Sequence, residues 1–205
     1  MPSPEEITRH HTQGEVIYVG AHATDYKLRI MEPDARWPGI YAAVESQIRA
    51  ALGSGVLDIQ HIGSTSVPGL PAKPIIDVDL TVADPTDEAA YIPALQRLGY
   101  VHWLTEPDWH QHRLLKHLGE PRVHVHVFGP GCPEVIRHRM FRDWLRINTD
   151  DRGRYAAAKR VAAAQMAATG EDHGALGFGM RYNEIKEPIV RAIYARMFQA
   201  AGLLD

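Results

Sequence analysis

The segment Ile75-Ile76-Asp77-Val78-Asp79-Leu80-Thr81-Val82 constrains the fold of this chain more than any other. Side chains alternate faces along a strand. Ile76, Val78, Leu80 and Val82 make one face wholly aliphatic, so that face belongs in a core. The other face carries Asp77, Asp79 and Thr81. Two carboxylates one strand period apart on an apolar strand repel each other and lose hydration. A divalent cation removes both penalties, and Mg²⁺ is typically held by one or two carboxylates together with substrate phosphates. The alternative is an edge strand whose aspartates face water.

The preceding loop favours the cation. His61-Ile62-Gly63-Ser64-Thr65-Ser66 ends a second apolar run in Gly-Ser. Glycine lets the backbone turn close to a ligand, and N–H groups with hydroxyls make an anion nest. Alone, Gly-Ser signals little beyond a turn. Followed about a dozen residues later by an Asp-hydrophobic-Asp strand, it fits a polymerase-β-type nucleotidyltransferase signature. Gly63, Ser64 and Thr65 would then cradle phosphates, and Asp77 and Asp79 would hold the metal.

Composition sets the remaining bounds. The chain has 205 residues, 45% hydrophobic and 23% charged, enough to bury a core without staples. One cysteine, Cys132, excludes an internal disulfide framework and a cysteine-built zinc site. No eighteen-residue apolar run is present, so no membrane contact is expected. The Met-Pro-Ser-Pro-Glu-Glu start lacks an apolar signal core, and the cytoplasm is the expected compartment. A net charge of -3 disfavours general nucleic-acid binding and leaves room for a small anion in a local basic pocket. Monomer and homodimer both stay open.

The pattern along the chain is mixed α/β. Residues 1–14 read as polar and frayed, and 15–20 and 26–31 as short strands. Ile40, Tyr41, Val44, Ile48 and Leu52 have helical spacing behind Pro38. Strands are expected at 56–62, 75–82 and 100–104, a helix over 87–98, and a hairpin from 112–118 and 122–128. After Pro133 the reading is helical, near 133–147, 151–169 and 178–201. Ile189, Ile193 and Met197 read as core. Tyr155 with Lys159, and Tyr182 with Lys186, each share one helix face.

These motifs together resemble the GrpB family, also called UPF0157. The resemblance is carried first by the stretch from His61 to Asp79. It continues through Pro33 to Trp37-Pro38, through Arg113, Lys116, His124 and His126, and through Phe141-Arg142-Asp143-Trp144-Leu145-Arg146, Tyr155 with Lys159, and Tyr182 with Lys186. It covers roughly residues 28–198. It implies the nucleotidyltransferase-fold superfamily, with a polymerase-β-like mixed sheet, and a domain also found fused to dephospho-CoA kinase. The expected organisation is an extension at 1–27, an α/β core at 28–132 and a helical portion at 133–205.

One departure concerns the third carboxylate that active nucleotidyltransferases usually carry on a neighbouring strand. The matching strand here, Val123 to Phe128, offers His124 and His126 instead. Either is a general base, a metal ligand or a structural histidine. His110, His112 and His117 read as surface residues. Lys73, Arg113, Lys116, Arg142, Lys159 and Lys186 are candidates for binding phosphate, each with a solvated surface charge as the plainer alternative. Arg113 and Lys116 fall on opposite faces of one strand, so only one can face the site. Tyr155 and Tyr182 are candidates to stack on a base, against the commoner use at the edge of a core.

The expected function is Mg²⁺- or Mn²⁺-dependent transfer of a nucleotidyl group from an NTP, with ATP favoured, to a small-molecule acceptor. A carboxylate acceptor would give an acyl-adenylate and a ligase reaction. The alternatives are a non-catalytic nucleotide-binding module and a Zn²⁺- or Mn²⁺-dependent phosphohydrolase.

Overall fold

The computed structural model describes residues 1–10, 14–19, 27–170 and 178–204, without the side chains of 178–180. Six strands form one mixed sheet in the order β1-β4-β5-β6-β3-β2. They are β1 (Ile17–Tyr18), β2 (Asp58–Ile62), β3 (Ile75–Thr81), β4 (Tyr100–Glu106), β5 (His112–His117) and β6 (Arg122–Phe128). Only β3 and β6 pair in parallel; β2–β3, β5–β6, β4–β5 and β1–β4 are antiparallel. The helices are α1 (Pro4–Thr8), α2 (Trp37–Leu52), α3 (Ile92–Arg97), α4 (Pro133–Ile147), α5 (Thr149–Thr169) and α6 (Phe178–Ala200).

The aliphatic face of β3 is core, as its alternation requires. Ile76, Val78 and Leu80 pack with Val123, Val125 and Val127 of β6 and Leu115 of β5. Val44 and Ile48 of α2 and Ile92 and Leu95 of α3 cover that layer. The opposite face carries the polar side chains, and α4 reaches it where His138 meets Asp79. Leu145, Tyr155, Ala156 and Ile193 pack on Val67 and Leu70 of the loop between β2 and β3. Helices α4, α5 and α6 are thereby fixed against the loop that carries Gly63.

Three expectations change. The first residues are not simply frayed, because Ser3 and Glu6 form a capping box that starts α1. Ile7 then packs on Met197 and Phe198, and Arg137 donates to the Ile7 carbonyl at 2.9 Å. Residues 27–31 do not form a strand; Met31 makes a single bridge with Ala72, and Tyr26 lies outside the described residues, as does Gly20. The 87–98 helix divides into a 3-10 turn at Glu88–Ala90 and α3.

Candidate functional site

The turn after β2 begins at Gly63, whose φ of 69° and ψ of -171° place it where other residues are strained. A Cβ there would lie 2.9 Å from the Asp77 Cβ. Glycine is therefore required for this loop to lie against β3. Ser66 Oγ closes the turn onto the Gly63 carbonyl at 2.5 Å. Thr65 is buried and donates to the Ile75 carbonyl at 3.0 Å, with His61 Nε2 3.0 Å from its hydroxyl. Its hydroxyl thus ties the loop to β3, whereas the Ser64 side chain hydrogen-bonds Tyr155 and lines a cavity.

That cavity is small, about 60 Å³, and is lined by Ser64, Asp77, His124 and three lysines, Lys73, Lys159 and Lys186, with Tyr182 behind them. The lysines come from the loop, α5 and α6. Two Tyr-x-x-x-Lys helix faces meet here. Lys159 Nζ lies 4.5 Å from the Tyr155 ring centroid and Lys186 Nζ 4.4 Å from that of Tyr182, with Lys73 Nζ 5.0 Å from the latter. Aromatic faces favour cations, but they do not replace a counter-ion. Lys159 is 2% exposed, and its Nζ has no hydrogen-bond partner among the described residues.

The electrostatics follow from this crowding. Burial, then the charges of Lys186 and Lys73, lower Lys159 to about 6. Burial and Lys186 lower Lys73 to about 8, and burial lowers Lys186 to about 8. Burial alone would raise Asp77, but His124, with His126 and Lys73 beyond it, outweighs burial and holds the carboxyl below its usual value. One carboxylate faces three lysines; Lys73 and Lys186 carry charge at neutral pH while Lys159 is held toward the neutral amine, and a polyanion would draw all three to the charged form.

Asp77 and Asp79 share a face of β3, and the register sets Asp77 beside His124 and Asp79 beside His126. The four groups do not converge. His124 Nδ1 lies 3.4 Å from Asp77 Oδ1. His126 Nδ1 turns to His112 Nε2 at 3.0 Å. Asp79 is held by His138 Nδ1 at 3.0 Å, and His138 Nε2 lies 3.2 Å from Glu134 Oε1. Burial works against a charged His138, yet its two carboxylate neighbours raise its pKa well above the ordinary value. Among the described residues, no group of three His, Cys, Asp or Glu side chains is placed to hold a metal. This donor set does not fit a resident Zn²⁺ or Mn²⁺ bound by Asp77, Asp79, His124 and His126. It fits a cation that arrives with a polyphosphate and needs only one or two carboxylates from the protein.

The other candidates are scattered. Lys116 is on the site face of β5, with Nζ 3.9 Å from the Trp103 ring centroid. Arg113 is on the opposite face and donates to Glu88 at 2.9 Å. Arg142 donates to the His61 carbonyl at 3.1 Å and lines a separate cavity of about 440 Å³ beside β2, with Tyr41, Arg49 and Arg146. His110 is exposed and His117 half-buried, but His112 is 2% exposed. The surface reading of His112 fails because β4 supplies a partner, Glu106 Oε2, 2.7 Å from its Nδ1. His138 was not singled out in the sequence; the i,i+4 spacing of Glu134 and His138 was the available signal.

The family model described as "GrpB protein" matches residues 27–196. The chain belongs to the GrpB family. It is 43% identical over 162 residues to a UPF0157 protein of Halalkalibacterium halodurans, covering 79% of this chain and 80% of the relative. The crystal structure of the conserved protein GrpB from Enterococcus faecalis superposes with a TM-score of 0.70 at 26% identity, covering 84% of this chain and 99% of that one. A more distant relative, a dephospho-CoA kinase of Mycolicibacterium paratuberculosis, is 29% identical over 199 residues. That match takes in 85% of this chain and 47% of the kinase. Among the described residues of this GrpB-family chain, no helix is long and apolar enough to cross a membrane.

Proposed function

We propose that this GrpB-family chain binds the triphosphate of a nucleotide, ATP first among them, and transfers its nucleotidyl group to a small-molecule acceptor. The observation that carries this reading is the convergence of Ser64, Asp77, Lys73, Lys159 and Lys186 on one cavity. Three lysines and a hydroxyl suit phosphate oxygens, and preorganised charges aimed at a developing anion are the largest common source of rate enhancement. The relative named a dephospho-CoA kinase is matched over 47% of its length, which sets a GrpB-like segment within a longer chain of nucleotide-related name.

In this reading Gly63 holds the loop against β3, and Ser64 donates to a phosphate oxygen. Lys73, Lys159 and Lys186 neutralise the β- and γ-phosphates and the departing pyrophosphate. Asp77, with Asp79 beside it, would hold Mg²⁺ or Mn²⁺. When bound, the cation supplies further charge neutralisation on the phosphates. A histidine of β6 takes the acceptor proton. A carboxylate acceptor would yield the acyl-adenylate of a ligase.

A second reading, nucleotide binding without transfer, draws on the engagement of Asp79 by His138. Pyrophosphate release from each NTP, across hydroxyl, amine and carboxylate acceptors, separates the two. Release that is abolished by Asp77→Ala supports transfer. Nucleotide binding without release across the panel selects the binding module.

A further inference from the structure

Three side chains on three adjacent strands form a line leading to the carboxylate face. Glu106 stands opposite His112 in the β4–β5 register, with Oε2 2.7 Å from His112 Nδ1. His112 Nε2 is 3.0 Å from His126 Nδ1, and the two rings stack with centroids 5.1 Å apart. His126 in turn stands beside Asp79 in the β3–β6 register. Phe128 stacks on the His112 ring and Trp109 meets it edge-on. The rings of His126 and His138, from α4, are 6.1 Å apart.

The chemistry of the partners sets the protons. An ionised carboxylate only accepts hydrogen bonds, so His112 carries a proton on Nδ1. When His112 is neutral, its Nε2 is an acceptor, and His126 must donate from Nδ1. His126 Nε2 is then its basic nitrogen, on a side chain that shares its face with Asp77 and Asp79. His126 is half-buried, with His112 Nε2 3.0 Å from its Nδ1 and the His138 ring 6.1 Å away, and no carboxylate is hydrogen-bonded to its Nδ1. His112 has an acidic partner to stabilise a charge.

We infer that Glu106 and His112 are a proton sink behind His126. The acceptor's O–H or N–H bond breaks and its proton goes to His126 Nε2. At the same time the Nδ1 proton of His126 passes to His112 Nε2. His126 ends neutral with its proton on Nε2, and His112 ends as an imidazolium against the Glu106 carboxylate. Only His126 touches the acceptor; Glu106 and His112 are positioning residues. The origin of the proton rests on the nucleotidyl-transfer reading, whereas the order of protonation does not.

The test is a pH titration of ¹⁵N-labelled imidazoles by long-range ¹H–¹⁵N correlation, with His126→Gln and His112→Gln used for assignment. At pH 8 the expected state has both Nδ1 atoms protonated and His126 Nε2 bare. As pH falls, the first proton added to the pair should leave both His112 nitrogens protonated and His126 protonated only on Nε2. Glu106→Gln should lower that midpoint by about 1–3 pH units, the usual effect of losing an adjacent opposite charge. His126 protonated on Nε2 at pH 8, or doubly protonated before His112, overturns the proposal. So does an unmoved midpoint in a folded Glu106→Gln variant. If that variant does not fold, the wild-type titration still decides. The predicted order in a protein that releases no pyrophosphate would uphold the relay and contradict only the transfer reading.

Discussion

Gly63 and Asp77 are packed so closely that a Cβ on Gly63 would come within 2.9 Å of the Asp77 Cβ and 3.0 Å of its Cγ. The loop between β2 and β3 and the site carboxylate are therefore built as one unit. Gly63→Ala must shift both a strained backbone and a site side chain. A non-glycine residue in this conformation costs about 1–3 kcal/mol, before any clash. Gly153 is the control: it is exposed within α5, and nothing lies within 4 Å of an added Cβ. Gly153→Ala should stabilise by about 0.5–1 kcal/mol, so urea denaturation should show opposite signs for the two changes.

Ser64 and Thr65 separate binding from structure. Thr65→Val leaves the Ile75 carbonyl and His61 without their hydroxyl partner, a loss of about 1–3 kcal/mol. Ser64→Ala removes the side-chain hydrogen bond to Tyr155, a loss of about 0.5–1.5 kcal/mol that is smaller than that of Thr65→Val, and should weaken nucleotide binding about tenfold, a loss of about 1.4 kcal/mol. Calorimetric titration beside the unfolding curves checks the pair.

Lys159 and His138 should give pH slopes of opposite sign. The folded pKa of Lys159 is depressed to about 6, against about 10.4 in an unfolded chain. Between those values the unfolded state binds more protons, so stability rises with pH. Lys159→Met should flatten that rise and stabilise the ligand-free protein at neutral pH. The folded pKa of His138 is raised, so its contribution is complete below about 6.5 and is lost as pH rises through the folded value. His138→Leu should remove that loss. It leaves Asp79 and Glu134 buried without the cation between them, which costs about 3–5 kcal/mol when a buried pair is broken. Urea midpoints from pH 5.5 to 10 measure both slopes.

The cavity's surplus positive charge predicts a response to an anion without any nucleoside. Inorganic tripolyphosphate should raise the melting temperature at constant ionic strength, because a ligand that binds only the folded state stabilises by mass action. The rise should be lost in Lys159→Met and retained in Arg142→Ala, whose side chain lines the other cavity.

Much of this arrangement was legible in one strand. The alternation from Ile75 to Val82 fixed which face of β3 is core and which carries Asp77 and Asp79. The two Tyr-x-x-x-Lys faces on α5 and α6 were legible as local helix geometry. Their meeting over Asp77 was not, because it depends on how α5 packs on α6. The burial of His112 was hidden for the same reason: its partner Glu106 comes from β4 through a cross-strand register that no local pattern encodes. The engagement of Asp79 by His138 joins residues 59 positions apart, and only the packing of α4 over β3 brings them together. In α1 the signal was local, since Ser3 and Glu6 have capping-box spacing, but five residues are too few for periodicity to show.

The central claim is that the cavity around Asp77 binds a nucleoside triphosphate. Its most direct test is a thermal-shift titration of ATP, GTP, CTP and UTP with Mg²⁺, in wild type, Asp77→Ala and Lys159→Met. The account predicts a concentration-dependent rise in the wild-type midpoint, greatest with ATP, and no ligand-induced rise in either variant. No rise with any nucleotide, or an equal rise in all three proteins, would contradict it.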